Sequence, residues 1–416
     1  MVAAEIQPQP RAALGDRPAP TPPSERIATL DIVRGLAVLG ILAVNVFAFA
    51  FPSAVYMNPA LAPFPLEGSS AVAMWASDTF FHSKFITLFS MLFGASIFLV
   101  GGDKTDPARN RLILRRLLWL IPIALIHGLF LWFGDVLLLY AAAGLIAMLF
   151  RGLKACTLIW IGLGITLLLA VLAAGGALAL QFAPPEMLDQ IEQQKSAMTG
   201  SREAVQASIA NYRSGWPGML TENFKAWSQL QIASLLFIII PTVALMMFGM
   251  GLLKAGFFSG RAPTILYVLL VLIGGAVLAA TGWLGWREMV SDGATRGLHQ
   301  AVEAFAVLIT LGYASLLILL VTRGARVLVG WLAPVGRMAF TNYLTQSLIM
   351  TTLFYQPWGP KLMGTMDRPA LWGVVAAVWA LQIVWSALWL SRFQMGPLEW
   401  LWRCLTYGRM VPMGRA

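Results

Sequence analysis

Arg26-Ile27-Ala28-Thr29-Leu30-Asp31-Ile32-Val33-Arg34-Gly35 runs without a break into the apolar stretch 36–50. Together they are long enough to cross a bilayer. A span that starts with an Asp and an Arg inside it bears on fold and site alike. A charge at mid-helix costs about 2.5–3.5 kcal/mol on insertion scales, so such charges pair and mark sites. Asp31 and Arg34 stand three residues apart, and a helix puts them on one face with Val38, Ile41 and Asn45.

The rest of the chain has the same character. It is 58% hydrophobic and 12% charged over 416 residues, which excludes an ordinary soluble globule and predicts an all-α, polytopic integral membrane protein. Apolar runs fall at about 29–51, 74–101, 112–133, 136–150, 155–181, 227–253, 263–284, 299–321, 327–355 and 370–391. This predicts about ten transmembrane helices. The join at Gly134-Asp135 is tight, so the third and fourth runs are either two spans or one bent hairpin.

With the N-terminus inside, 18 of the 29 Lys and Arg fall in cytoplasmic segments and 8 in outer loops, half of those 8 in the long loop 182–226. The positive-inside rule then gives an N-in, C-in arrangement. The same rule accounts for the net charge of +10, because the basic residues sit in short loops between apolar runs, so no nucleic-acid partner is expected. The partner is the lipid bilayer.

Residues 1–25 hold six prolines and no apolar core, and read as a disordered cytosolic tail rather than a signal peptide. A transmembrane domain covers 26–408, and 409–416 form a second cytosolic tail. Segment 182–226 reads as an extracytoplasmic insertion, either one or two amphipathic helices or a mobile loop. Loop 52–73 is rich in Pro and lacks Lys and Arg, which predicts an irregular segment that folds over the site. Gly249-Met250-Gly251, Gly162-Leu163-Gly164 and Gly274-Gly275 read as tight helix packing rather than ligand loops. Two cysteines, Cys156 and Cys404, and three histidines show no metal-ligand spacing, so no metal is expected.

Polar residues inside the runs are the site candidates. Lys84 lies too deep to snorkel and calls for a partner such as Asp31 or Asp78, or an anionic ligand. His82 lies one turn after Asp78, as a pair with it or as an interfacial histidine. His127 sits in the apolar run 121–129, where it is either a hydrogen-bonded structural residue or a general base, with Asp135 at the next helix end to orient a group nearby. Arg337, Thr341, Asn342, Thr345 and Gln346 form the densest polar patch in any run and suggest a polar cavity. Glu399 and Arg403 can pair at i, i+4 beside Trp400 and Trp402, as a structural anchor at the interface.

These motifs, in order across 26–408, resemble the YeiB-like membrane proteins, the domain-of-unknown-function 418 family. The pieces that carry the resemblance include Leu30-Asp31…Arg34-Gly35…Asn45, Lys84-Phe85…Phe93-Gly94, His127-Gly128, Gly134-Asp135 and Gly249-Met250. Gly336-Arg337…Asn342-Tyr343…Gln346-Ser347 and Gly396-Pro397-Leu398-Glu399…Arg403 complete them.

The opening motif is also similar to that of the wider membrane acyltransferase superfamily, which passes an acyl group from cytoplasmic acyl-CoA to a hydroxyl or amine at the other face. One branch of that superfamily carries a catalytic His where this chain has Asn45. The heparan-glucosaminide acetyltransferase branch carries Asn there. The resemblance implies a multi-pass protein of a bacterial inner membrane, with no tightly bound cofactor, acyl-CoA as co-substrate and a small-molecule, glycan or lipid acceptor. It implies His127 as base, Asp31 fixing Arg34, and Asn45, Asn342 and Gln346 orienting the acyl carbonyl. Arg34, Lys84 and Arg337 would then hold CoA phosphates or the oxyanion. A proton-coupled transporter or channel for a small solute is the competing reading, because intramembrane Asp, Lys, Arg and His also suit a conduction path.

Overall fold

The computed structural model describes residues 27–102, 104–290 and 295–414. The expected tail 1–25 and Arg26 lie outside the described residues. Among the described residues the regular structure is all helical. The helices are α1 Ala28–Ala50, α2 Ser53–Met57, α3 Gly68–Phe80, α4 Lys84–Gly101, α5 Pro107–Ile126, α6 Leu137–Ala147, α7 Ala155–Gln181, α8 Pro185–Thr199, α9 Arg202–Arg213 and α10 Trp216–Ala233. There follow α11 Ile239–Lys254, α12 Thr264–Val290, α13 Arg296–Glu303, α14 Ala306–Thr322, α15 Arg326–Val329, α16 Leu332–Arg337, α17 Ala339–Phe354, α18 Arg368–Arg392 and α19 Pro397–Tyr407.

Among the described residues seven helical stretches are long and apolar enough to cross a membrane, and the pair α13 and α14, bent by 49°, makes an eighth. The ten runs read from hydropathy fall on these stretches and on shorter or broken helices. Leu137–Phe150 is helical but shorter than a span, and packs against α5 as the second arm of a hairpin. The run 327–355 is broken into α15, α16 and α17, with Gly330 at one break and Pro334 in the short middle piece. Apolar composition survives these breaks, so a hydropathy window cannot see them.

α1 is the central strut. Its apolar window is 78% buried, against 17% for α7 and 22% for α12, which therefore face outward. The glycines explain how the helices come so close. A Cβ at Gly249 would run into the Met91 carbonyl, and one at Gly94 into the Met246 carbonyl, so α4 and α11 pack backbone to backbone. Gly162 and Gly251 do the same between α7 and α11, and Gly274 between α12 and α14. Without a hydrophobic force between helices in lipid, such close approach is what holds the bundle. At the start of α1, a Cβ on Gly35 would meet the Leu332 carbonyl and one on Gly336 the Asp31 carbonyl. This contact fixes the Asp31 turn against α16.

Two interruptions shape the interior. Between α3 and α4 the chain turns through Ser83, a non-glycine residue at φ 62°. That conformation costs free energy and persists only where its surroundings enforce it. After α5, residues His127–Leu131 form a π-helical turn, closed by the Trp132 amide on the His127 carbonyl at 2.9 Å. Such turns carry one extra residue and gather at functional sites.

Candidate functional site

The π-turn sets His127 in a buried polar cluster. His127 Nδ1 is 2.8 Å from Asp135 Oδ1, and the side chains are 2% and 0% exposed. Asp135 Oδ2 accepts the Leu138 amide at 3.0 Å, so one carboxylate both starts α6 and orients the imidazole. Against a carboxylate Nδ1 is the donor, which leaves Nε2 as the basic nitrogen. Among the described residues Nε2 has no hydrogen-bond partner. Beside it stands Tyr343, with ring centroids 5.5 Å apart, and Ser347 follows one turn along α17. The Ser347 hydroxyl is likewise buried and without a partner among the described residues, and the buried Tyr343 hydroxyl, which accepts the Val136 amide, still has its own proton to donate. His127, Tyr343 and Ser347 thus keep unused bonding capacity in the protein interior.

A shell of amides holds this turn. Asn223 Nδ2 donates to the carbonyls of Gly128 and Leu129 at 2.7 and 2.9 Å. Gln231 Nε2 donates to the Asp135 carbonyl at 2.9 Å, Tyr355 Oη to Leu131 at 2.7 Å and Gln356 Nε2 to Phe130 at 3.2 Å. A π-turn leaves carbonyls that an α-helix would satisfy, and in a membrane interior each needs such a donor. These four residues escaped the sequence reading. Asn223 and Gln231, polar residues on either side of the boundary drawn at 226, were the available signal.

A second cluster collects arginines at the start of α1. Arg34 Nη1 pairs with Asp31 Oδ1 at 3.0 Å. Arg116 of α5 lies within electrostatic reach of Arg34, Arg403 and Glu399, and its guanidinium stacks on Trp402 at 3.8 Å. Arg116 falls in the apolar run 112–133 but was not weighed as a site residue. Glu399 accepts the amides of Phe340 and Thr341 at 2.7 and 3.1 Å and the Thr341 hydroxyl at 2.5 Å. It therefore caps α17 from a different helix, as a negative charge at a positive helix end. Removal from water pushes its carboxyl above the usual range, against the pull of the Thr341 bonds. Arg337 donates to the Gln394 carbonyl at 2.9 Å and ties α16 to the same end.

The remaining candidates fall elsewhere. Asn342 bonds the Val335 carbonyl, Ser386 and Trp385 at 3.1, 3.0 and 2.8 Å. Gln346 bonds the Val38 carbonyl at 3.1 Å and Gln382 at 2.8 Å. Their amides knit α1, α17 and α18 together, which is interhelical bonding rather than cavity lining. Asn45 is half-buried and makes no side-chain hydrogen bond among the described residues. It shares a face of α1 with Phe49, which stacks on Trp132 at 4.1 Å. Fourteen residues of helix, about 21 Å at 1.5 Å each, separate Asn45 from Asp31, so the stripe serves two levels of the bundle.

Lys84 is fully buried. Its Nζ donates to the main-chain oxygen of Asp78 at 2.7 Å and lies 3.9 Å from Glu303. His82 bonds Glu303 at 2.8 Å, not Asp78. Lys84 thus keeps Asp78 as a partner, through the main chain, whereas His82 leaves it: α3 ends at Phe80, before the helical register that would set His82 on Asp78, and Glu303 of α13 takes its place.

Buried glycine contacts, buried charge pairs and long apolar helices define a polytopic helical membrane protein. The family model described as "Protein of unknown function (DUF418)" matches residues 247–409. Uncharacterized protein YeiB of Escherichia coli (strain K12) is 34% identical over 403 residues, covering 92% of this chain and 96% of that protein. Uncharacterized protein YxaH of Bacillus subtilis (strain 168) is 32% identical over 426 residues, covering 95% and 98%. An uncharacterized 39.9 kDa protein of Bacillus acidopullulyticus is 27% identical over 395 residues, 94% of this chain and 96% of that protein. The chain belongs to the YeiB-like DUF418 family. No solved structure matches it.

Proposed function

We propose that this protein is a membrane acyltransferase that moves an acyl group from acyl-CoA to a hydroxyl or amine acceptor. The observation that carries this reading is the buried Asp135–His127 pair, whose Nε2 is free to take a proton. Along α5 it lies eleven residues, about 16 Å, from Arg116. That span suits an extended pantetheine arm with its phosphates on Arg34, Arg116 and Arg403. In the step proposed, His127 Nε2 removes the acceptor proton as the acceptor attacks the thioester carbonyl. The C–S bond then breaks and the CoA thiolate takes the proton back. The Tyr343 and Ser347 hydroxyls replace Asn342 and Gln346 as donors to the developing oxyanion, since those amides are already engaged. Asn45 remains a candidate for positioning the acceptor. Entry requires the packing over His127 to open. A bacterial inner membrane, with the arginine cluster toward the cytoplasm, is part of the same proposal.

The test is acetyl-CoA binding by calorimetry and acetyl-CoA consumption by detergent-purified protein. Arg34→Ala and Arg116→Ala should each weaken binding roughly ten-fold or more, and His127→Ala should abolish turnover with binding retained. Absence of binding in folded protein, or full turnover in His127→Ala, removes the reading. Solute transport is the second reading. It is favoured by the titratable groups Asp78, His82 and Glu303 gathered at the α3–α4 break, and uptake into proteoliposomes without CoA would put it first.

A further inference from the structure

A cavity of about 170 Å³ opens at the α3–α4 break, away from the arginine cluster and the His127 turn. Phe47, Phe51 and Val55 form its apolar wall, and Asp78, Ser77 and Arg368 bring polar groups to it. Arg368 is 1% exposed; its Nη2 donates to the Pro59 carbonyl at 2.9 Å, while Nη1 has no hydrogen-bond partner among the described residues. Ser77, 1% exposed, has a hydroxyl in the same condition. The Asp78 carboxylate makes no hydrogen bond to another described residue, although its main-chain oxygen is taken by Lys84.

Arg368 and Asp78 line the same cavity, yet no salt bridge joins them. A guanidinium and a carboxylate that face one space without closing on each other leave a gap with a positive and a negative side. The neighbouring charges do not tip this balance, because Lys84 and Glu303 offset each other 3.9 Å apart and His82 is bonded to Glu303. A lone anion would meet Asp78, and a lone cation would meet Arg368. The complement is a molecule carrying both charges. An intramembrane charge with unused donors marks a ligand site by the same physics that makes it costly.

We propose that this cavity binds a small zwitterion of the amino-acid class. Its carboxylate sits on Arg368 Nη1, its ammonium on the Asp78 carboxylate, and its apolar side chain lies against Phe47, Phe51 and Val55. Ser77 supplies a further hydroxyl to the carboxylate. The site stands apart from acyl transfer: it requires no CoA, and loss of either reading leaves the other intact.

The experiment is calorimetric titration of the purified full chain with L-leucine and L-phenylalanine, and with two leucine fragments, isocaproate without the amine and isoamylamine without the carboxylate. The expected result is saturable binding of at least one of the two amino acids, with both fragments weaker than leucine by roughly ten-fold or more. Asp78→Asn and Ser77→Ala, whose side chains bond no other described residue, should weaken amino-acid binding, Asp78→Asn the more strongly. Arg368→Met should abolish it, but also removes the Pro59 contact, so the first two variants and the fragment series carry the test if it fails to fold. Isocaproate binding as tightly as leucine overturns the proposal in favour of a plain anion site, and isoamylamine doing so in favour of a cation site. No saturable binding of either amino acid to folded protein, or leucine binding unchanged in Asp78→Asn, also overturns it.

Discussion

Two imidazoles in this protein each bond a carboxylate at 2.8 Å, and they do so in opposite settings. His127 and Asp135 are eight residues apart and enclosed, 2% and 0% exposed. His82 and Glu303 are 221 residues apart and open, 40% and 21% exposed. Bond length therefore says little about what a pair does. The enclosed pair is bonded into a turn whose carbonyls are met by Asn223, Gln231, Tyr355 and Gln356, so its geometry is fixed and its Nε2 is sheltered from water. The open pair joins two helix ends, and its histidine lines the cavity and is reached by solvent.

The contrast breaks most directly in turnover. His127→Ala is expected to lower acyl-CoA consumption by about 10²–10⁴-fold, the usual contribution of a positioned base, whereas His82→Ala leaves most of it. Equal losses would mean that the two pairs serve one chemistry. Stability should separate the pairs next. Asp135→Asn strips a partner from an enclosed pair and should cost about 3–5 kcal/mol, but His82→Ala only about 1 kcal/mol, because the open pair is screened and Glu303 keeps Lys84. Denaturant unfolding in detergent reads both. Diethylpyrocarbonate sharpens the comparison without any mutation: mass spectrometry should find His82 carbethoxylated in the folded protein and His127 protected.

An effect of the same small order belongs to Glu399, a carboxylate with no histidine, which serves as a control. Its folded value is raised, so its contribution to stability is full below the ordinary carboxylate range and fades as pH climbs through the raised value. Glu399→Gln should remove that slope from a series of melting temperatures, at a cost of about 1–2 kcal/mol for the weakened cap.

Local pairs were legible because helical spacing alone creates them. Asp31 and Arg34 meet as the i, i+3 rule requires, and Gly162, Gly249, Gly251 and Gly274 pack helices as their lack of a Cβ suggests, while Gly164 and Gly275 face open space. Asp135 was placed near His127 by the tight Gly134-Asp135 join. Lys84 meets Asp78 as expected, but through its main-chain oxygen, and His82 takes Glu303 because α3 ends at Phe80, before the helical register reaches it. Arg116, Arg368 and Glu303 were never weighed, since nothing local to them points to their partners.

By itself the sequence determined that this is an all-helical membrane protein, where most of its spans lie, and which charges had to be buried. Those follow from the free energy of moving side chains and backbone out of water, which each residue carries with it. Only the tertiary structure decided which buried groups meet. The π-turn at His127, the break at Ser83 and the backbone contacts at Gly35 and Gly336 set the relative height and rotation of the helices. A change of one residue in any of them turns a neighbouring side chain by about 100° on a helix of 3.6 residues per turn, enough to exchange its partner.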